Sequence, residues 1–177
     1  NLGHIARSFS SFAKMPEVNP VPVDVAHKLS NFLTLMRNNP TDIPIRYVGP
    51  DEGVMALADA EQITQVFTNI VRNAMQAMEG RPNSDIIIIL KGVTENTCQE
   101  RNLNPQMQWI EISFSDNGPG IPEEVQEKIF VPKITTKNTG AGLGMPISKN
   151  IVEGSGGKIC FQTSEKGTTF FVYLQKK

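Results

Sequence analysis

The apolar positions change period several times along the chain, and each change marks an element. Leu2, Ile5, Phe9 and Phe12 recur at spacings of three, four and three. That predicts a helix over residues 1–14 with a heptad-like seam, stopped by Pro16, Pro20 and Pro22. The seam either packs on the domain behind it or is the tail of a helical bundle. Val25, Leu29, Phe32, Leu33 and Met36 share one face of a second helix, Val23 to Arg37. Ile43–Val48 and Val54–Leu57 read as short strands around the turn Gly49-Pro50-Asp51. Asp59 is a good N-cap for a long helix from about Ala60 to Glu79. Its core face is Ile63, Val66, Phe67, Ile70, Val71, Ala74 and Met78. Asp85–Val93 and Trp109–Ser115 are β-rich, and the polar stretch Thr94–Gln108 between them reads as a long hairpin loop. Pro122 opens a short helix, Glu123–Phe130, and Val131–Gly142 lacks periodicity. Leu143–Glu153 is helical and ends at Gly154-Ser155-Gly156-Gly157. Lys158–Thr163 and Thr168–Leu174 form a last hairpin through Lys166-Gly167. Neighbouring strands read mostly as hairpins. The fold class is α+β: a two-layer α/β sandwich, with a mixed, mostly antiparallel sheet of about five strands and three main helices on one face.

Composition narrows the function without naming it. A net charge of −1 disfavours a protein that grips nucleic acid by counter-ion release. Cys98 and Cys160 are single and far apart, so no metal-type pairing exists and a reduced, cytoplasmic compartment is the simplest reading. The longest uncharged apolar run, Ile86–Leu90, is too short to cross a bilayer. The chain opens on Asn1 and not on Met. That is the expected mark of a fragment, and it leaves open a membrane anchor in a longer parent.

Three local features carry chemistry. The long helix bears an amide stripe, Gln62, Gln65, Asn69, Asn73 and Gln76. Asn69 and Asn73 lie about 40° apart on the helical wheel. Mid-helix Asn costs helix stability, and its oxygen can ligate Mg²⁺ or hold a ligand without adding charge beside phosphates. The strand Ile110-Ile112-Phe114 ends in Asp116-Asn117-Gly118-Pro119-Gly120. This is an open turn that a flat ligand can approach, beside a carboxylate that accepts from an exocyclic amine. Gly140-Ala141-Gly142-Leu143-Gly144 runs into a helix, where free N–H groups and the dipole favour anions. Lys133, Thr135, Thr136 and Lys137 precede it. Each feature has a bland alternative: an uncharged polar face, an acidic turn, a solvated loop.

In this order the three resemble the boxes of the GHKL ATP-binding superfamily, most closely the catalytic ATP-binding domain of sensor histidine kinases of the nitrogen-regulation type. The matching residues are Gln65 to Ala77, Asp116 to Pro122, Ile129 to Pro132, Thr135 to Lys137, Gly140 to Gly144, Ile151 to Gly157 and Gly167 to Phe170. The resemblance implies the Bergerat fold and a protein-histidine kinase of the two-component system. It implies that Asn73 ligates Mg²⁺, with Asn69 one turn earlier near metal or phosphates, as the catalytic pair. Asp116 would accept the adenine amine, with Gly118 and Gly120 making room for the base. Residues 131–142 would form a lid. Lys137, Gly140, Gly142, Leu143 and Gly144 would face the phosphates of ATP, and Thr168 would lie near the base. Residues 1–16 resemble the end of the dimerisation hairpin, leaving 17–177 as the ATP-binding domain. The phosphoacceptor histidine would sit on the absent part of that hairpin, since neither His4 nor His27 has the acidic residue and Pro that follow the family's acceptor. A response-regulator receiver domain and a homodimeric parent complete the expectation. The chain departs from the family at Lys133 and Ile134, where two aromatics are usual, and at Ser155, where His is usual. Hydrolysing relatives carry a Glu at the position of Asn69, so transfer to a protein nucleophile is expected over hydrolysis. The competing readings are a nucleotide-responsive module without catalysis and a Ser/Thr kinase of the anti-sigma type.

Overall fold

The computed structural model describes residues 15–37, 41–132 and 142–177. The elements are β1 (Pro20–Asp24), α1 (Val25–Met36), β2 (Ile45–Val48), β3 (Met55–Asp59), α2 (Ile63–Ala77), β4 (Ile86–Gly92), α3 (Glu95–Glu100), β5 (Trp109–Asp116), α4 (Glu123–Gln126), α5 (Gly144–Gly154), β6 (Lys158–Ser164) and β7 (Gly167–Gln175). The helix expected over residues 1–14 lies outside the described residues. Among those described, no helix is long and apolar enough to cross a membrane.

Five strands form one sheet in the order β2-β4-β5-β7-β6. Only β2 and β4 run parallel. Strict alternation makes one face apolar: Ile88 pairs with Phe114, which pairs with Phe170, and Leu90 with Ile112, which pairs with Val172. Against this face pack Leu29 and Phe32 of α1, Phe67 and Ile70 of α2, and Ile151 and Val152 of α5, all buried. Phe67 sits between the rings of Phe32 and Phe114, at 5.9 and 5.8 Å. Burying one such side chain contributes about 2–3 kcal/mol. The two-layer arrangement is thus the expected one.

Three local expectations are corrected. Pro20–Asp24 does more than end a helix: β1 pairs antiparallel with β3 in a separate two-stranded sheet. Edge strands tolerate proline. β3 forms no hairpin with β2: it pairs with β1 and meets Lys176 at Ala56, while β2 runs beside β4. The helix read from Val23 therefore starts at Val25. Asp24 caps it, accepting from His27 N (3.1 Å) with one oxygen and from Gly53 N (2.7 Å) with the other. Third, part of the 94–108 loop is helix α3, capped by Thr94. It covers the opposite face of the sheet, where Cys98 and Leu103 bury Trp109 and Tyr173. The Trp109 indole donates to Asn104 O (2.9 Å), and Tyr173 donates to the buried Glu111 (2.9 Å).

Asp59 is a cap, as its sequence position implies, but for the turn ahead of α2. Its Oδ1 accepts from Glu61 N (3.0 Å) and Gln62 N (2.9 Å), while Oδ2 accepts from Asn19 N (2.8 Å). Continuous helix begins at Ile63.

Candidate functional site

Parity along β5 fixes where the site lies. Ile110, Ile112 and Phe114 face the helices, so Asp116, two residues on, faces the same way. In register, Ile86, Asp116 and Thr168 form the last row of the sheet. Beyond that row the layers part, leaving a cavity of about 700 Å³. Asp116 and Thr168 line it from the sheet, Asn69 and Asn73 from α2, Gly120 from the turn after β5, and Gly142 and Gly144 from the entry to α5. Four segments distant in sequence therefore meet at one opening, at the end of a shared core.

Asp116 is held from one side. Its Oδ1 accepts from Gly118 N (2.9 Å) and Thr168 N (3.2 Å), and among the described residues Oδ2 accepts no hydrogen bond. Burial pushes its carboxyl above the usual range, and the two backbone hydrogen bonds offset only part of that. Gly118 thus serves as an N–H donor behind the carboxylate and does not line the cavity. Gly120 does line it, but what demands glycine there is φ +81° and the chain beside it. A Cβ would lie 2.1 Å from Ser164 O. Thr168 and Thr163 share a hydrogen bond (2.9 Å), and Thr163 Oγ1 accepts from Ile121 N (2.9 Å). The turn and the last hairpin are stitched together behind Asp116.

The amide stripe divides in two. Gln62 is structural, donating to Glu17 O (2.8 Å) and Asp59 (3.0 Å). Asn69, Asn73 and Gln76 line the cavity. Asn69 donates through Nδ2 to Gly144 O (2.9 Å) and Ser148 Oγ (3.0 Å). Asn73 is half-buried, and among the described residues no hydrogen bond occupies its side chain. Its amide oxygen is a hard donor open to the cavity, which suits Mg²⁺. Among the described residues no cluster of three His, Cys, Asp or Glu could hold a metal. A cation here would take its other ligands from phosphate and water.

The first turn of α5 offers the N–H groups of Gly144 and Met145. Pro146 has none, and Ile147 N is spent on Leu143 O (3.0 Å). Leu143 itself stands outside the cavity lining, and Lys137 and Gly140 lie outside the described residues. Sequence reasoning did not single out Arg72 or the apolar wall Ile121, Ile129 and Phe170. Arg72 had a readable signal, because Asn69, Arg72, Asn73 and Gln76 fall at i, i+3, i+4 and i+7, one helix face. The wall residues each fall inside a stretch that carries the resemblance, but no local pattern showed that the three come together.

The raised pKa of Asp116 sets an expectation for any ligand whose amine would donate to this carboxylate. Only the ionised carboxylate leaves Oδ2 as a pure acceptor. Affinity for adenosine, which has no phosphate to titrate, is expected to be flat at neutral pH. It falls as pH drops through the raised pKa of Asp116, beginning above the ordinary carboxylate value of about 3.9. Calorimetry of adenosine binding from about pH 8 to about pH 4 reads this, and a midpoint at or below the ordinary value would sink it.

A family model for the histidine kinase-, DNA gyrase B- and HSP90-like ATPases matches residues 58–177. The chain is 31% identical over 177 residues to the C4-dicarboxylate transport sensor protein DctB of Rhizobium meliloti, covering 99% of this chain and 26% of that protein. It is 35% identical over 118 residues to the sensory histidine kinase/phosphatase NtrB of Vibrio alginolyticus, covering 67% of this chain and 33% of that one. The chain thus spans about a quarter to a third of these curated relatives. Among solved structures, the catalytic domain of histidine kinase ThkA superposes with a TM-score of 0.70 at 28% identity, covering 89% of this chain and 96% of that domain. The chain belongs to the histidine kinase-, DNA gyrase B- and HSP90-like ATPase family, and its fold is that of a histidine kinase catalytic domain.

Proposed function

We propose that this chain binds Mg·ATP and presents the γ-phosphate to a histidine on a helical hairpin outside the sequence. From there it would pass to a response-regulator receiver domain. The observation that carries the reading is the convergence at one cavity of Asp116 with a free carboxylate oxygen, Asn73 with an unoccupied amide, and the N-terminus of α5. Asp116 accepts from the amine of adenine at the position where guanine carries a carbonyl oxygen, hence adenine over guanine. Thr168 stands beside it and Gly118 behind it. Asn73 would hold Mg²⁺, which when bound neutralises charge on the phosphates. Asn69, Gly142, Leu143 and Gly144 are the proposed phosphate side of the site, with Lys137 and Gly140 beyond the described residues.

The surroundings of Asn69 favour transfer over hydrolysis. That side chain faces the Gly144 carbonyl and a serine hydroxyl whose hydrogen is already committed to that carbonyl (2.8 Å). Both demand a donor. A carboxylate base for water would meet two acceptors there. Support for the acceptor histidine and the receiver domain comes from relatives named as sensor histidine kinases and from the fold match to ThkA. That kinase has also been solved in complex with response regulator protein TrrA. The segment 1–16 is proposed as the end of the hairpin, and a homodimeric parent follows from the same reading.

Titration of ADP and GDP with and without Mg²⁺ tests the site. The expected result is ADP binding in the micromolar range, about −8 kcal/mol, with ADP preferred over GDP and a marked loss without Mg²⁺. Asn73→Ala should remove the Mg²⁺ dependence and leave adenosine binding intact. Failure of wild type to bind either nucleotide would overturn the proposal.

A further inference from the structure

Ser148 lies on α5, fully buried, outside the cavity lining, and has so far entered only as a neighbour of Asn69. Its hydroxyl donates to Gly144 O (2.8 Å) and accepts from Asn69 Nδ2 (3.0 Å), while Asn69 Nδ2 also donates to Gly144 O (2.9 Å). The three groups form a closed triangle that joins α2 to the first turn of α5. The bond directions are forced. The Gly144 carbonyl can only accept, so the amide nitrogen must face it. That nitrogen is within hydrogen-bond distance of both partners and donates to each.

What the triangle holds is a peptide plane. The Gly144 carbonyl belongs to the same rigid, trans unit as the N–H of Met145, and the two point in opposite directions. Clamping the carbonyl toward the body of α5 therefore aims the Met145 N–H back toward the helix N-terminus, where Gly142 and Gly144 line the cavity. With Pro146 lacking an N–H and Ile147 N spent, the first turn has few donors to place. The closeness of the clamp is visible at Gly144, where a Cβ would lie 3.4 Å from Asn69 Cγ.

We infer that Ser148 is a positioning residue for the phosphate side of the nucleotide site. It acts through the Gly144–Met145 peptide and Asn69, without touching the ligand. The inference rests on the nucleotide reading above and adds to it a residue with no ligand contact. Ser155 supplies the comparison. It is also buried, at the C-cap of the same helix, and makes the same back-bond, to Ile151 O (2.9 Å), but among the described residues no hydrogen bond to α2.

The test measures ADP and adenosine affinities by calorimetry for wild type, Ser148→Ala, Ser148→Thr and Ser155→Ala, with melting curves for each. Ser148→Ala is expected to weaken ADP about tenfold and to leave adenosine within about twofold, because one clamped hydrogen bond is lost at the phosphate side only. Ser148→Thr keeps the hydroxyl and should retain the wild-type ratio of ADP to adenosine affinity, even if its methyl lowers the melting temperature. Ser155→Ala should lower stability like Ser148→Ala and change neither affinity. A parallel fall of ADP and adenosine in Ser148→Ala, an unchanged ADP affinity, a threonine as weak as the alanine, or an equal effect in Ser155→Ala overturns the role of Ser148 alone. Absence of ADP binding by wild type overturns the nucleotide reading and this inference with it.

Discussion

Asp116→Asn is expected to weaken ADP binding about a hundredfold and to erase the preference for ADP over GDP. The substitution conserves shape. The new amide can still turn its oxygen to Gly118 N and Thr168 N, the two donors that hold Oδ1 in the wild type. Its NH₂ must then take the place of the free Oδ2 and meet the adenine amine donor to donor. One charge-assisted hydrogen bond, worth about 1.5–3 kcal/mol, is replaced by two opposed donors, and about 3 kcal/mol is about a hundredfold. Guanine presents a carbonyl oxygen at the corresponding position, so GDP should gain. Folding moves the other way. The wild-type carboxyl is pushed up by burial, so its ionised form costs folded-state stability at neutral pH, and a neutral amide removes that cost. The melting temperature should therefore hold or rise while ADP affinity collapses. An Asp116→Asn protein that binds ADP as tightly as wild type would remove Asp116 from base recognition.

Much of this site could be read from sequence because it is built on strand parity and helix periodicity. Asp116 continues the inward series of Ile110, Ile112 and Phe114, so its face was set once β5 was recognised. Asn69 and Asn73 share a helix face for the same reason. The missing parts depend on pairing that no local pattern encodes. Pro20-Val21-Pro22 has no strand signature, yet β1 forms because β3 lies alongside it. β3 pairs with β1 and β2 pairs beside β4, so the expected hairpin does not form. Helix α3 is short and polar, and its reason to form is the Trp109–Tyr173 patch it covers. For Asn69 the sequence showed only its helix face, and its grip on Gly144 and Ser148 needed the packing of α2 on α5. At Gly120 and Gly167 the sequence shows a turn, and only the structure shows what each glycine would strike.

Gly167→Ala is expected to lower stability by about 4 kcal/mol, the largest effect of any single methyl considered. Gly167 has φ +137°, where an L side chain is strained, and a Cβ there would lie 2.0 Å from Asp116 O and 3.0 Å from Asn117 Cα. The obstacle is backbone on both counts, so no rotamer change relieves it. Strain of about 1–3 kcal/mol adds to an overpacking cost of about 1–3 kcal/mol. Gly53 and Gly80 separate the two contributions. Both have positive φ, +84° and +72°, but a Cβ at either meets nothing within 4 Å. Alanine there should cost only about 1 kcal/mol, the backbone part alone. The clash at Gly167 also falls on the residue proposed to recognise the base. Gly167 lies beside the Asp116–Thr168 pair at the end of the sheet, and the β7 start must back away to admit the methyl. Thr168 N would leave Asp116 Oδ1 as it did so. Whatever fraction of Gly167→Ala remains folded should bind adenosine more weakly than Gly53→Ala or Gly80→Ala at the same temperature. Chemical denaturation read together with calorimetry distinguishes the cases. A Gly167→Ala protein no less stable than Gly53→Ala would mean that the close approach of the last hairpin to Asp116 does not exist in solution, and the account of how Asp116 is held would go with it.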